Sequence, residues 1–173
     1  MITNINYEGY LTEQKLGEVL REVYHSTDGY LVESQFKHGR YKYDYAIFQN
    51  SDLFLLFEFD GFKHFCNSKT QERDFKKDVI ALNTLSVPIS RIPYFVQLRQ
   101  DVVPLGLPLI QVASSVQYPH GFIDPVAMHP KDFNHEGFKK FFGILLSLPR
   151  SVREEIWNSA FAEPMFYYEK HLL

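Results

Sequence analysis

An unbroken apolar run that ends in two acids is the strongest constraint on the fold of this chain. Residues Leu53 to Phe57 are apolar at every position, and the run stops abruptly at Glu58-Phe59-Asp60-Gly61. A strand that is apolar on both faces needs cover on each side, which indicates a central strand with helices packed against it. We therefore expect an α/β fold with a central mixed β-sheet flanked by helices.

The flanking segments predict the rest of this sheet. Thr12 is a suitable helix N-cap, and apolar residues follow it at helical spacing, whereas the strand candidates are rich in β-branched and aromatic residues. Periodicity and turn signals predict helices over 12–24 and 70–84, a hairpin over 30–36 and 41–48, and a strand over 86–94. Pro88 and Pro93 indicate an edge or strand-end position for this last strand.

The second helix has an amphipathic pattern. Phe75, Val79 and Leu82 recur on one side and predict the face that packs on the sheet. The pattern leaves the polar residues for solvent or a ligand: Arg73, Asp74, Lys76 and Lys77.

The C-terminal part of the chain is interpreted as an extension of the core. We interpret residues 1–95 as the core and 96–173 as a helical C-terminal extension packed on it, within one compact domain. Residues Leu109 to Ala113 predict a short strand, and Ser151 is expected to cap a final helix. The apolar positions of the two expected helices are Phe138, Phe141, Phe142, Leu145, Leu146, Ile156, Trp157 and Phe161.

The acids at the end of the central strand are the main candidates for a functional site. Glu58 and Asp60 point to the same side by strand alternation, and Asp44 lies on the neighbouring strand. A carboxylate at the end of an apolar strand needs a compensating cation or hydrogen-bond donors. Three clustered oxygen ligands suit Mg²⁺, with Mn²⁺ as a substitute. The alternatives are a solvated strand end for Glu58 and Asp60, and a surface ion pair for Asp44.

Composition narrows the class of protein. The chain has 173 residues, 45% of them hydrophobic, and a net charge of -3, so it is neither disordered nor a strongly basic nucleic-acid coat protein. No apolar stretch approaches the roughly 20 residues of a membrane span. The N-terminal residues lack the layout of a secretory signal and Cys66 is the only cysteine, so we expect a cytoplasmic location.

The order of these elements resembles the PD-(D/E)xK nuclease superfamily. A helix is followed by a hairpin with Asp44, a strand ending in Glu58-Phe59-Asp60-Gly61, a helix with Arg73-Asp74 and a strand with Arg91-Ile92. The histidine after Glu-x-Asp-Gly makes the chain similar to the Vsr-like branch and to small phage or intron-encoded homing endonucleases. The resemblance covers roughly residues 12 to 95.

The resemblance implies roles for single residues. Asp44 and Glu58 match the superfamily's metal ligands, and Asp60 stands where the superfamily has a lysine. The departure leaves open which group handles the attacking water: Lys63, Lys77 or His64. Glu18 on the first helix matches an acid that some members contribute. The set expected to be catalytic is Glu18, Asp44, Glu58, Asp60, Lys63 and His64, with Asp44, Glu58 and Asp60 as metal ligands.

The implied function is Mg²⁺-dependent, site-specific cleavage of double-stranded DNA by a homing or restriction endonuclease in a bacterial or phage-infected cell. Cutting both strands calls for two active sites, which predicts a homodimer or higher homo-oligomer. The expected DNA phosphate contacts are Lys37, Arg40, Lys42, Arg73, Lys76 and Lys77. C-terminal aromatic residues are candidates for the interface, although core packing explains them equally well: Phe141, Phe142, Trp157, Phe166, Tyr167 and Tyr168.

Three other interpretations stay open. One is a structure-selective enzyme that nicks mismatches or resolves junctions, and another is a catalytically inactive DNA-binding relative. The third is an interaction domain whose acidic strand end binds a structural cation or a basic partner. These interpretations differ in whether any DNA is cut, and in whether cutting depends on Glu58.

Overall fold

A four-stranded mixed sheet organises the protein. The computed structural model describes residues 3–7, 10–98, 110–114 and 128–161, with residues 3–7 and 110–114 described by their backbone. The strands are β1 (Thr3–Tyr7), β2 (Tyr30–His38), β3 (Tyr41–Gln49), β4 (Asp52–Asp60), β5 (Ile89–Pro93) and β6 (Ile110–Ser114). The helices are α1 (Glu13–Val23), α2 (Lys63–Cys66), α3 (Ser68–Ile80), α4 (His135–Ser147) and α5 (Arg150–Ala160), with a π-helical turn at Ala81–Leu85.

The sheet order confirms the central position of the apolar strand. The order is β2-β3-β4-β5, with antiparallel pairs up to β4 and a parallel pair between β4 and β5. The mixed sheet with its helices confirms the predicted α/β class, and β5 lies at an edge, as Pro88 and Pro93 predicted. β6 confirms the expected short strand to within one residue, and it pairs in parallel with β1, which the sequence did not predict.

Helices cover the two faces of the sheet. On one face Leu16 and Leu20 of α1 pack in a buried cluster with Ile47 and Phe57. On the other face Leu56 packs with residues of the segment that follows α3 and with residues of β3. Thr12 caps α1, because its side chain accepts a hydrogen bond from the backbone N–H of Lys15 at 3.2 Å.

The alternation of side chains along β3 breaks at Asp44. Tyr43 packs with Ala46 and Leu56, whereas Tyr45 packs in the cluster under α1, so Tyr43 and Tyr45 do not share a face. Gln35, which lies opposite Asp44 in the hairpin, has a φ of 57°. A left-handed residue distorts the hairpin locally, and the pleat of β3 does not continue through this point.

The orientation predicted for α3 is wrong. Phe75 and Leu82 are each 69% exposed and Val79 is 39% exposed, while Asp74 and Lys77 are buried. The helix turns its polar side inward because that side carries the partners of buried charges at the end of β4. An amphipathic pattern alone does not reveal such partners.

The C-terminal helices pack against the end of the sheet. Phe65 of α2 and the segment after β5 form one buried cluster with α4 and α5, in which Phe141, Phe142 and Trp157 have the buried positions predicted for them. Ser151 does not cap the last helix, since α5 begins at Arg150 and Pro149 occupies the N-cap position. Phe166, Tyr167 and Tyr168 lie outside the described residues.

No helix in the described part of the chain is long and apolar enough to cross a membrane.

Two glycines of α4 give opposite expectations for the same substitution. A Cβ on Gly137 would lie 1.6 Å from the backbone oxygen of Phe65, whereas a Cβ on Gly143 meets nothing within 4 Å. We expect Gly137→Ala to lower the free energy of unfolding by about 3 kcal/mol or more, because backbone cannot give way as a side chain can. Gly143→Ala should raise it by about 0.5–1 kcal/mol through helix propensity. Urea denaturation of the two variants measures both; equal effects would contradict the close approach of α2 and α4.

Candidate active site

A cleft of about 300 Å³ lies beside the end of β4. Residues from α1, the β2–β3 hairpin, β4, α2 and α3 line it, which brings together segments far apart in the sequence. The lining residues are Glu13, Arg40, Tyr41, Lys42, Asp44, Glu58, Phe59, His64, Arg73 and Lys77.

Glu58 forms a buried ion pair with Lys77. The Lys77 ammonium donates to Glu58 Oε1, and the two residues are 6% and 2% exposed. Burial raises the pKa of Glu58 to about 7, with a further contribution from the nearby charge of Asp44, and the charge of Lys77 offsets only part of this rise. Tyr43 contacts Lys77 in two ways. Its ring centroid lies 4.9 Å from Lys77 Nζ, and its hydroxyl donates to the Lys77 carbonyl oxygen at 3.2 Å.

Asp44 faces the same cleft from β3. Its Oδ2 accepts a hydrogen bond from the backbone N–H of Phe59 at 2.8 Å, which fixes the carboxylate against the end of β4. Glu13 reaches the cleft from the first turn of α1, where Gln35 donates to its Oε1 at 2.8 Å. Partial burial raises the pKa of Glu13, and the charge of Asp44 adds to the rise. Three carboxylates thus surround one space.

Asp60 has a different environment, because cations occupy both of its oxygens. Arg91 Nη1 donates to Asp60 Oδ1 and Lys140 Nζ of α4 donates to Oδ2, each at 2.8 Å. The same guanidinium donates to Asp78 Oδ1 at 2.8 Å. Burial lowers the pKa of Arg91, but the charges of Asp60, Asp78 and Asp74 outweigh burial and raise it on balance. Asp60 therefore anchors β5 and α4 to the end of β4.

His64 contacts two carboxylates, those of Asp74 and Asp60. Its Nδ1 is 2.6 Å from Asp74 Oδ2 and 3.2 Å from Asp60 Oδ1, so this nitrogen donates its proton to carboxylate. His64 also lines the cleft. Burial acts to raise the pKa of Asp74, yet the hydrogen bond from His64 and the charge of Arg91 lower it on balance.

The predicted metal triad is not brought together. Within the described ranges, the group of three whose ligand atoms lie within 4.8 Å of one another is Asp60, His64 and Asp74, and not Asp44, Glu58 and Asp60. Asp60 lies on the far side of His64 with its oxygens bonded to Arg91 and Lys140. A divalent cation on Asp60 would have to displace these cations, so the donor set disfavours metal at Asp60.

Several other predicted residues lie away from the cleft. Glu18 is exposed and accepts a hydrogen bond from Gln14, and Lys63 is exposed on α2. Lys37 and Lys76 are exposed but do not line the cleft, and Lys76 forms an ion pair with Glu72. Arg40, Lys42 and Arg73 are exposed at its rim, as expected of phosphate contacts, whereas Lys77 is buried at its floor.

Sequence reasoning missed four residues of this region. Glu13 rather than Glu18 is the α1 acid at the cleft, and the signal was weak because both are ordinary helical glutamates. The helical pattern leaves Asp74 for solvent or a ligand without indicating its burial, and Arg91 belongs to a motif that assigns it no role. Lys140 lies 80 positions after its partner Asp60, which no local pattern reveals.

The residues at the cleft fit a hard divalent cation. Asp44 and Glu58 present carboxylate oxygens to one space, and such oxygens are what Mg²⁺ and Mn²⁺ prefer. Burial raises the pKa of Glu58 and Lys77 offsets only part of that rise, so a further cation beside the carboxylate would stabilise its charge. Asp44 and Glu58 would hold the cation, with Glu13 across the cleft.

Comparison with known proteins does not assign this arrangement: no family model matches the chain, and neither does any curated protein or solved structure.

The two acids on Arg91 give a matched test of the anchoring network. Asp60→Asn removes the buried carboxylate that the partly buried Arg91 guanidinium and Lys140 share, so we expect the free energy of unfolding to fall by about 3–5 kcal/mol. Asp78 bonds the same guanidinium but its side chain is 49% exposed, and Asp78→Asn should cost about 1 kcal/mol or less. Chemical denaturation of both variants compares them; an equal loss would show that Asp60 has no special anchoring role.

Proposed function

We propose that this chain is a metal-dependent DNA endonuclease with a restriction-endonuclease-like core. The observation that carries the proposal is the cleft that combines Asp44, Glu58, Lys77 and His64 under a cationic rim. Phosphodiester hydrolysis needs negative charge to hold a cation, a group that accepts a proton and positive charge that binds phosphate. The cleft supplies all three within one space of about 300 Å³.

Lys77 takes the place of the lysine that the strand motif lacks. The ammonium reaches Glu58 from α3 rather than from the strand position of Asp60. The chemistry requires an ammonium beside the metal-binding carboxylate, and the backbone element that carries it is immaterial. Lys77 therefore orients Glu58 and adds positive charge at the floor of the cleft.

His64 acts as the general base in this proposal. Asp74 holds Nδ1, so Nε2 takes the proton from the water molecule that attacks phosphorus. A divalent cation bound by Asp44 and Glu58 would polarise the phosphoryl oxygen and offset its growing charge. Arg40, Lys42 and Arg73 at the rim bind neighbouring phosphates of the strand, an attraction that weakens as salt is added.

The activity test uses purified protein on supercoiled plasmid with Mg²⁺, Mn²⁺ or EDTA. We expect metal-dependent conversion to nicked or linear DNA, and His64→Ala should slow it by about 10²–10⁴-fold because the proton acceptor is lost. Glu58→Gln should abolish it. Thermal melts of each variant verify folding.

His135 gives a matched control, since its side chain is 73% exposed on α4. His135→Ala should cut at the wild-type rate. Metal-dependent cutting that survives Glu58→Gln would place the reaction elsewhere, and absence of product with every metal would contradict the proposal.

Metal affinity is expected to depend on pH through Glu58. Burial raises its pKa from 4.5 to about 7. Protonated Glu58 therefore stabilises the metal-free protein below about pH 4.5, and this contribution is lost as the pH rises through about 7. A cation binds the ionised carboxylate and competes with the proton. Mn²⁺ should therefore bind up to about tenfold more weakly for each pH unit below that pKa.

Isothermal titration calorimetry at about pH 6 and about pH 8, on either side of the pKa of Glu58, measures this dependence. The rise in melting temperature with Mn²⁺ should likewise be larger at the higher pH. Asp44→Asn should remove both effects. Binding that is equal at the two pH values would exclude Glu58 as a ligand.

A further inference from the structure

The reactive groups lie at the bottom of the cleft. Glu58 is 2% exposed and Lys77 is 6% exposed, so a phosphate must descend to reach them. The β2–β3 hairpin forms one wall with Arg40, Tyr41 and Lys42, and α3 contributes Arg73 and Lys77 to the lining. A group that reaches the floor therefore passes residues of both elements.

The size of the cleft limits what can enter. Its volume of about 300 Å³ lies at the lower end of the roughly 300–1,000 Å³ of ligand pockets, which is room for about one nucleotide. In an intact duplex each nucleotide is held by pairing and stacking, and drawing it out of the stack costs a few kcal/mol. An unpaired strand brings a single nucleotide into the cleft without that cost.

The hairpin wall also carries a surface on which a base can stack. Tyr41 is half-buried and lines the cleft, and the Arg40 guanidinium lies 5.1 Å from its ring centroid with Nη2 donating to the hydroxyl at 3.0 Å. Aromatic rings and guanidinium planes stack with unpaired bases of any sequence, and such rings beside cationic grooves are typical of single-strand binding. Stacking needs a base that has left its own partner.

We propose that the cleft admits an unpaired DNA strand, with a base stacked on Tyr41 and Arg40 while the neighbouring phosphate reaches Asp44 and Glu58. The inference rests on the proposed function and names its substrate class: single-stranded DNA or DNA that is unpaired at the cut. It favours a structure-selective enzyme over one that cuts intact duplex. One active site cuts one strand, so a single copy of the chain suffices for such a substrate.

Binding tests the inference without requiring cleavage. Fluorescence anisotropy at one fixed salt concentration compares three labelled DNAs of one sequence: a single strand, a full duplex and a duplex with a central unpaired bubble. The protein is used as wild type with EDTA and as Glu58→Gln with Mg²⁺. We expect the single strand and the bubble to bind at least about tenfold more tightly than the duplex.

Variants of the hairpin wall locate the stacking surface. Tyr41→Ala should weaken single-strand binding by roughly 5- to 100-fold, whereas Tyr41→Phe keeps the ring and should bind as wild type. Arg40→Ala, at an exposed position, provides a second variant if Tyr41→Ala is unstable. Phe54→Ala is the matched control, because this ring is 45% exposed on β4 and does not line the cleft.

Cleavage of the same three DNAs separates this inference from the proposed function. Faster cutting of the single strand and the bubble supports both, and cutting of the full duplex at an equal rate leaves a nuclease but overturns the inference. If no DNA is cut, the proposed function fails, and the order of binding still decides the substrate class. Equal or tighter binding of the duplex, or unchanged binding by both Tyr41→Ala and Arg40→Ala, overturns the inference.

Discussion

The buried charges at the end of β4 determine how the helices pack around it. Lys77 of α3 pairs with Glu58, and Asp74 of α3 shares Arg91 and His64 with Asp60, so both α3 residues face inward. Leaving Glu58 without Lys77 would cost about 3–5 kcal/mol. Complete burial of an apolar side chain contributes about 1.5–3 kcal/mol, and Val79 is already more than half buried. Pairing the charges is therefore comparable with the burial that Phe75 and Leu82 forgo.

The same network gives different environments to two acids that look equivalent in the sequence. Glu58 and Asp60 stand two positions apart on one strand and reach the same side of the sheet. Glu58 has one ammonium partner and keeps an oxygen at the cleft, while Asp60 has both oxygens bonded to cations. The number of cations that each carboxylate meets, and not its place in a motif, separates the acid that can hold a metal from the acid that anchors β5 and α4.

Sequence patterns predicted the elements whose signals are local. The apolar run of β4, the hairpin turn, the Thr12 cap and the stripe of α4 each show in a few consecutive residues. The patterns failed where the cause lies at a distance: the orientation of α3 depends on the charges at the end of β4, and the role of Lys140 depends on a residue 80 positions earlier. Asp44 and Glu58 stood out because Asp44 interrupts a strand face and Glu58 ends an apolar run. Glu13 was missed because nothing in a helical sequence ranks it above Glu18.

In the proposed nuclease site, Lys77 supplies from α3 the ammonium that β4 does not carry. An ammonium two residues after Glu58 on β4 would occupy the place of Asp60, and Arg91 and Lys140 would then lose the carboxylate that holds β5 and α4. With the ammonium on α3, one strand carries both a cleft acid and an anchoring acid. The buried pair also fixes the distance between α3 and β4, the two elements that carry Lys77 and Glu58 to the floor of the cleft. The interaction that orients Glu58 thus shapes the space in which the proposed reaction takes place.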